Sequence, residues 1–253
     1  METILITGAN STFAKKFYNS IKEKKIKFIF LDKIKPKLSE VNNIDFFKIN
    51  LENSKSIKST IDKILKKYKK INYLVTYASL RSNKKNIEDE NLDNWNKTFA
   101  VNLTSNFFLI KNIILNNIKK KEKCRIVNIS SISSLLISNE SPSYQISKSA
   151  INHMTRYFAS QAGKKGIFIN SVLPGLIIKD EHKKKYLSKK NAKYRNIVKK
   201  THLTNRFGTI DDVNKVVNFL LFENNDFING QSIVVDGGVS IEDQFATAHR
   251  EFG

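Results

Sequence analysis

The feature that most constrains this chain is a regular alternation of short apolar runs with amphipathic stretches. Ile4 to Thr7 forms the first apolar run, a helical pattern through residues 13–21 follows, and a second apolar run covers 26–31. The same period predicts further strands at 44–49, 71–77, 125–129, 167–172 and 232–235. Apolar strands that alternate with helices predict a parallel sheet covered by helices on both faces. At 253 residues, we expect one doubly wound domain of about seven strands over residues 1–253.

The chain is strongly basic, with 44 Lys and Arg against 23 Asp and Glu and a formal net charge of +21. Such a charge could indicate nucleic acid, an anionic membrane surface or an acidic substrate. However, Lys far outnumbers Arg, and Asn and Ile are abundant throughout, which an A/T-biased coding sequence produces without any anionic partner. No motif that reads DNA or RNA accompanies the charge, so nucleic-acid binding is not predicted.

Other residue types narrow the class further. The single cysteine, Cys124, excludes an intrachain disulfide and is expected in the core. The four histidines show no metal-ligand spacing, so no metal site is predicted. The N-terminus lacks a basic segment before its apolar run, and no apolar run approaches the roughly 18 residues of a membrane span. These patterns predict a cytoplasmic protein.

Residues 176–206 form the one irregular region. They hold eleven Lys and Arg against two acids, and they are too many for an ordinary connection between elements. They are predicted to form a lid or a mobile loop. The segment is either a solvated amphipathic helix pair or a cover whose cations meet an anionic substrate or carrier.

The stretch from Asn128 to Ala150 carries the residues with the most chemical potential. If Ser141 caps a helix that begins at Pro142, Tyr144 and Lys148 lie four residues apart on one helical face. An ammonium near a phenol favours the phenolate and makes proton transfer near neutral pH feasible. Ser131 stands at the end of the preceding apolar strand. Two helical surface residues match this pair often, so the pair alone does not identify a site.

Two residues at strand ends suggest a dinucleotide site. Gly8 follows the first strand and opens a helix, whose N-terminal N–H groups favour a pyrophosphate. Asp32 ends the second strand, where a carboxylate can bind both ribose hydroxyls of NAD.

From Thr3 to about Gly238 the chain resembles the short-chain dehydrogenase/reductase family. The resemblance rests on motifs in the family's order: Thr7-Gly8-Ala9-Asn10-Ser11-Thr12-Phe13-Ala14 for its glycine-rich loop, Asn102, the Ser130-Ser131 pair, Tyr144-x-x-x-Lys148, Asn170 to Gly175, Arg206-Phe207-Gly208 and Gly230 to Gly238. It implies a Rossmann-type fold and an NAD(P)-dependent oxidoreductase that interconverts a secondary alcohol and a ketone.

The resemblance also implies a role for each matching residue. Tyr144 would be the general acid/base, Ser131 would hold the substrate oxygen, Lys148 would lower the Tyr144 pKa and bind the nicotinamide ribose, and Asn102 would support a proton relay. The expected cofactor-binding residues are Gly8, Asn10, Ser11, Thr12, Phe13, Asp32, Asn50, Leu51, Ala78, Tyr144, Lys148, Pro174, Gly175 and Ile177.

Departures from the family's pattern fall at the cofactor end. Thr12 and Ala14 replace two loop glycines, Thr76-Tyr77-Ala78-Ser79 replaces Asn-Asn-Ala-Gly, Asn50 replaces an acid near adenine, and Lys179 replaces a threonine. The side chain of Thr12 would crowd the phosphates or supply a hydroxyl to them. NAD is favoured over NADP because Asp32 would repel a 2′-phosphate, although the adjacent Lys33 keeps NADP open.

The substrate stays open at this stage, between a 3-oxoacyl thioester on an acidic carrier and a sugar derivative. The alternative class is a catalytically silent dinucleotide sensor or scaffold of the same fold. The resemblance further implies a homodimer or homotetramer.

Overall fold

A parallel sheet organises the molecule. The computed structural model describes residues 1–38, 43–83 and 86–252. Within them, seven strands pair in the order β3-β2-β1-β4-β5-β6-β7, and every pairing is parallel. The strands are β1 (Glu2–Thr7), β2 (Ile26–Asp32), β3 (Ile44–Lys48), β4 (Tyr73–Thr76), β5 (Cys124–Ile129), β6 (Ile167–Pro174) and β7 (Ser232–Val235). The predicted doubly wound sheet is confirmed, and its strand order reverses between β1 and β4.

Helices lie in most of the connections between strands. They are α1 (Thr12–Ile21), α2 (Ser54–Lys67), α3 (Leu92–Phe99), α4 (Ser105–Lys119), α5 (Pro142–Ala162), α6 (Asp180–Leu187), α7 (Ala192–Thr201), α8 (Ile210–Phe222) and α9 (Gln244–Phe252). A π-helical segment, Ala100–Thr104, joins α3 to α4. Helices α2, α4 and α5 share one hydrophobic cluster, whereas α1 and α8 share another.

The alternation of side chains along each strand explains the two clusters. In β1, Leu5 enters one cluster while Ile4 and Ile6 enter the other, because successive side chains of a strand point to opposite faces. All three are fully buried. Each such side chain contributes about 1.5–3 kcal/mol of burial free energy, so both faces of the sheet are stabilised along its length.

The helical stretch Leu92–Lys119 is long and apolar enough to cross a membrane, with a mean hydropathy of 1.3 over its most apolar window. Half of that window is buried inside the molecule. Leu109, Ile110 and Ile113 of α4 belong to the cluster that covers the sheet. A core helix passes the same test of length and composition, and these contacts are those of a core helix.

Local signals define the start of α5. The Ser141 hydroxyl accepts a hydrogen bond from the Tyr144 N–H at 3.4 Å, and Pro142 is the first helical residue, as the sequence predicts. In contrast, most of residues 176–206 is helical, because α6, a short 3-10 turn and α7 fill the segment. The C-terminal stretch, which carries no sequence motif, forms α9, and Arg250 ties it to the Lys200 carbonyl at 2.7 Å.

Candidate active site

Tyr144 lies in the first turn of α5, beside the carboxyl end of the sheet, and only 2% of its surface is exposed. Its hydroxyl accepts a hydrogen bond from Arg81 Nη2 at 3.0 Å. The Arg81 guanidinium also lies over the Tyr144 ring, 4.8 Å from its centre. The guanidinium therefore contacts Tyr144 through both its hydroxyl and its ring.

Lys148 lies one turn further along α5 and is equally buried. Its Nζ donates to the Ile129 carbonyl at the end of β5 at 2.8 Å and lies 5.5 Å from the centre of the Tyr144 ring. Burial, with a smaller contribution from the charge of Arg81, lowers the pKa of Lys148 to about 7. The structure therefore brings two basic side chains to Tyr144, and Arg81 is the one bonded to its hydroxyl.

Ser131 is the second residue after β5 and is also buried. Its Oγ accepts from the Ser133 N–H at 3.1 Å and donates to Ser133 Oγ at 3.1 Å. Ser138 Oγ donates to the same Ser133 hydroxyl at 2.8 Å. The expected substrate-holding serine is thus the first member of a row of three hydroxyls that runs into the loop before α5.

Asn102 lies in the π-helical segment and is fully buried. Its amide oxygen accepts from the Leu80 N–H at 2.7 Å, and its Nδ2 donates to the Leu80 carbonyl at 3.0 Å and to Ser147 Oγ at 3.0 Å. The side chain therefore clamps both backbone groups of Leu80 and connects them to α5. A π-helical turn inside a helix is a common device at functional sites.

The glycine loop lies at the carboxyl end of β1. Gly8 has φ +67°, and a Cβ there would lie 2.6 Å from the Ala78 nitrogen, so no other residue fits without a shift. Ser11 caps α1 by accepting from the Ala14 N–H at 3.2 Å. The Thr12 hydroxyl donates to the Glu181 carboxylate, 3.0 Å from each oxygen, and Lys16 pairs with Asp180 at 2.8 Å. The first turn of α6 is therefore held against the N-terminal half of α1.

The Asp32 carboxylate lies where β2 ends, beside the glycine loop. It accepts the Asn10 N–H at 2.8 Å and the Lys33 N–H at 2.6 Å. The Lys33 ammonium pairs with Glu52 at 2.5 Å. A cleft of about 260 Å³ opens beside these groups. Its lining includes Gly8, Ser11, Asp32, Leu51, Ala78 and Val101.

Three further expected cofactor residues lie at the end of β6 or just after it. Pro174 ends the strand, and the Gly175 N–H donates to the Val235 carbonyl at 3.0 Å. A Cβ on Gly175 would lie 2.6 Å from that of Asp236, so the close approach requires glycine. Ile177 pairs with Gly208 in an isolated bridge. Asn50 is used locally, because its amide oxygen accepts the Glu52 N–H at 3.1 Å and its own N–H donates to Ser56.

Tyr77 replaces an asparagine of the family's pattern and has a clear structural role. Its hydroxyl donates to Asn214 Oδ1 at 2.8 Å, and Asn214 Nδ2 donates to the Phe13 carbonyl at 3.2 Å. The Tyr77 ring lies 6.2 Å from that of Phe13 and 5.8 Å from that of Phe17. The substitution therefore ties β4 to both α1 and α8.

These residues fit a dinucleotide. The glycine at positive φ, the capped N-terminus of α1 and the carboxylate of Asp32 surround one cleft at the point where the strand order reverses, which is where open parallel sheets bind nucleotides. In the described residues, no group of three His, Cys, Asp or Glu could hold a metal ion.

Comparisons with known proteins decide the family. A family model described as Enoyl-(Acyl carrier protein) reductase matches residues 24–240. The 3-oxoacyl-[acyl-carrier-protein] reductase FabG of Buchnera aphidicola subsp. Acyrthosiphon pisum is 30% identical over 244 residues, which cover 94% of this chain and 97% of that protein. This chain belongs to the short-chain dehydrogenase/reductase family.

Two solved structures with a dinucleotide bound have the same fold. A 4-hydroxyisoleucine dehydrogenase complexed with NADH superposes with a TM-score of 0.87 at 27% identity, and the match covers 96% of this chain and 100% of that one. ElxO with NADP bound gives 0.85 at 26% identity over 95% and 99% of the two chains. The chain is an NAD(P)-dependent oxidoreductase that acts on an alcohol or its carbonyl compound.

Sequence reasoning did not identify Arg81 as a site residue. It lies in a stretch without a motif, five residues after β4 ends. The signal that could have drawn attention to it is chemical, because it is one of few arginines in a lysine-rich chain and follows the strand that faces the glycine loop.

Proposed function

We propose that this short-chain dehydrogenase/reductase interconverts a secondary alcohol and a ketone with Tyr144 as general acid/base. Residues 1–253 form one dinucleotide-binding domain in this proposal, and residues 176–206 form its lid. The bound nicotinamide supplies or accepts the hydride. The observation that carries the proposal is the contact between a buried phenol and a guanidinium, Arg81 Nη2 to Tyr144 Oη at 3.0 Å, at the carboxyl end of the sheet.

Four side chains of the protein have separate roles in the proposed reaction. Tyr144 gives a proton to the substrate oxygen in reduction and takes it in oxidation. Ser131 donates to the same oxygen in place of Ser133 Oγ, its partner in the structure, and its hydrogen bond from the Ser133 N–H at 3.1 Å orients the hydroxyl. Lys148 is held against β5 and reaches the nicotinamide ribose. Asn102 fixes the loop that carries Arg81 and supports the proton relay.

NAD is the proposed cofactor. A 2′-phosphate beside the Asp32 carboxylate would be repelled. Lys33, the cation that keeps NADP open on sequence grounds, is already paired with Glu52 at 2.5 Å. The cleft edge therefore presents two carboxylates and one neutralised cation, which favours the uncharged ribose hydroxyls of NAD.

The positive charge of the lid favours a substrate with negative charge, such as a 3-oxoacyl thioester on an acidic carrier protein. The name of the FabG relative describes it as a reductase of that class of substrate. Lys183, Lys184, Lys189 and Lys190 are exposed on α6 and on the turn that follows it. A phosphorylated or nucleotide-linked sugar is the other substrate that such a surface would suit.

A homodimer or homotetramer is the proposed assembly. Helices α4 and α5 expose Phe108 and Tyr157, and a shallow cavity of about 490 Å³ lies between the two helices. Exposed aromatic groups on two adjacent helices are suited to an interface. Size-exclusion chromatography with light scattering measures the mass, and a monomer at micromolar concentration would contradict the assembly. We further propose that the protein is cytoplasmic.

The second candidate is a dinucleotide sensor without catalysis. One contact favours it: Glu181 of the lid holds Thr12 at the N-terminus of α1, where a pyrophosphate would bind. Titration of NADH fluorescence followed by a ketone panel separates the two candidates. Binding with turnover of any ketone supports the enzyme, whereas binding without turnover across the panel and across pH supports the sensor.

A further inference from the structure

Arg81 is placed by a rigid support. Asn102 holds the N–H and the carbonyl of the preceding residue, Leu80, at 2.7 and 3.0 Å. The Ala78 N–H donates to Thr7 Oγ1 at 3.2 Å, which fixes the start of the same loop to β1. Because the backbone before Arg81 is held from both sides, the guanidinium projects from a defined point beside Tyr144.

The guanidinium has capacity for another ligand. Of its five N–H donors, the contacts with described residues use one on Nη2 for Tyr144 and one on Nη1 for Glu140, whose Oε1 lies 3.3 Å away. The Arg81 side chain is 58% exposed, so solvent and small molecules reach it. Burial alone would lower the pKa of Arg81, but the nearby Tyr144 and Glu140 raise it, and the group is a permanent cation.

Glu140 shows what this cation binds. It belongs to the loop before α5, and its carboxylate occupies Nη1 while the Tyr144 oxygen occupies the adjacent Nη2. A carboxylate and the reacting phenol therefore lie side by side on one guanidinium. Arginine forks suit such planar recognition of carboxylates.

The position of the reacting oxygen follows from the proposed function, on which this step rests. That oxygen must lie within hydrogen-bond distance of Tyr144 Oη, and so within about 6 Å of Arg81 Nη2. An anionic group one to three bonds from the reacting carbon then reaches the guanidinium and takes the position of the Glu140 carboxylate.

We propose that Arg81 is the specificity-determining residue of this enzyme and selects substrates that carry a carboxylate close to the reacting carbon, as in a 2-oxo or 3-oxo acid. Glu140 is the internal anion that such a substrate displaces. Arg81 recognises the substrate in this assignment, while the chemistry stays with Tyr144.

The test measures binding without turnover. The protein saturated with NAD⁺ is titrated calorimetrically with 3-oxobutanoate, with 2-oxobutanoate and with the neutral methyl ester of each acid. The wild type is expected to bind at least one acid at least about tenfold more tightly than its ester, the scale of a charge-assisted hydrogen bond. Arg81→Gln is expected to abolish that difference, and Arg81→Lys to restore part of it.

Two further variants sharpen the result. Glu140→Gln removes the competing anion and is expected to tighten acid binding severalfold while leaving ester binding unchanged. Arg156→Gln, which removes an exposed arginine further along α5, is the matched control and is expected to bind like the wild type. Equal binding of both acids and their esters by the wild type, an acid preference that survives Arg81→Gln, or no acid binding at any soluble concentration would each overturn the proposal.

Initial rates with NADH separate this proposal from the proposed function. If the esters are reduced in a Tyr144-dependent reaction and the acids are not preferred, the oxidoreductase mechanism is supported and the proposed role of Arg81 is contradicted. Acid binding that requires Arg81, without turnover of any ketone, would support the anion site at Arg81 and contradict the oxidoreductase mechanism.

Discussion

The two ends of the candidate site differ in how their polar groups are used. At the chemical end, Lys148 and Asn102 are buried and held by hydrogen bonds to backbone groups of β5 and of the loop after β4. At the phosphate end, Thr12 is bonded to Glu181 and Asp32 to the Asn10 N–H. The side chains of the first end are tied to the backbone, whereas at the second end the lid contacts Thr12, and under the proposed function a dinucleotide would exchange that contact for its own. Changes at the two ends should therefore affect different measured quantities.

The largest effect is expected at the chemical end. Tyr144→Phe removes the hydroxyl that is proposed to transfer the proton but keeps the ring that stacks with Arg81, so kcat should fall by about 10²–10⁴-fold while NADH affinity stays within about twofold. Steady-state rates and NADH fluorescence titration measure the two quantities. Tyr157→Phe, an exposed tyrosine of the same helix, is the control. A Tyr144→Phe enzyme that keeps most of its kcat would remove Tyr144 from the mechanism.

Lys148→Met tests whether burial lowers the pKa of Lys148 at the chemical end. Burial holds the pKa of Lys148 at about 7, against 10.5 for a free lysine, so the unfolded chain binds one more proton than the folded protein between these values. The contribution of this group to the free energy of unfolding therefore rises with pH across that window and is smallest below pH 7. Without cofactor, Lys148→Met should be more stable than the wild type by a few kcal/mol at pH 7, with the gap closing towards pH 10.

Urea unfolding at a series of pH values measures the gap between the Lys148→Met variant and the wild type. Lys164→Met, which replaces an exposed lysine, serves as the control and should show no such pH dependence relative to the wild type. A gap between Lys148→Met and the wild type that stays constant from pH 7 to pH 10 would contradict the lowered pKa.

A smaller effect is expected where β2 ends. Asp32→Asn keeps the shape of the side chain and removes the charge that repels a 2′-phosphate, so the ratio of kcat/KM for NADPH to that for NADH should rise by about tenfold. Rates with both dinucleotides measure the ratio. Asp62→Asn, an exposed acid on α2, should leave it unchanged. A wild type that already prefers NADPH would overturn the proposed cofactor choice.

The smallest effect is expected where the lid meets the glycine loop. Burial alone would raise the pKa of Glu181, but hydrogen bonds from its own backbone N–H and from Thr12 lower it, which marks a stabilised carboxylate. Glu181→Gln removes a negative charge beside the proposed pyrophosphate site and should tighten NADH binding by about two- to fivefold, as for an exposed ionic contact. Fluorescence titration measures this, with Glu23→Gln as the control. Weaker NADH binding by Glu181→Gln would show that the glutamate supports the cofactor.

Sequence patterns predicted the fold well because its signals are local. Apolar runs identified all seven strands, and β7 has the predicted bounds. The strand predicted at 71–77 is shorter at both ends, since the Ile71 N–H is bonded to Asn117 rather than to a neighbouring strand. The cap and the proline predicted the start of α5 because both act within one helical turn.

The candidate site was less predictable where it depends on distant contacts. Thr12 stood out as a missing glycine, yet its partner Glu181 lies 169 residues away. Asp180 and Glu181, the two acids of the lid, are outnumbered by eleven cations in the sequence. Nevertheless, these two acids form contacts with Lys16 and Thr12 of α1. Arg81 acquires its partners only when the loop after β4 meets the start of α5, so no local pattern indicated it.

The π-helical segment Ala100–Thr104 has a consequence for how the chain can vary in length. A π turn accommodates one residue more than an α turn, so deleting one residue between 100 and 104 would make α3 and α4 a continuous α-helix. Each residue of an α-helix turns about 100° around its axis, and α3 would rotate by that angle relative to α4. Trp95 and Phe99, stacked at 4.7 Å on α3, would turn with it, and Asn102 would leave Leu80. Relatives of this protein in which an asparagine holds the backbone at the Leu80 position should therefore keep the same number of residues in this segment, even where the side chains of the segment differ.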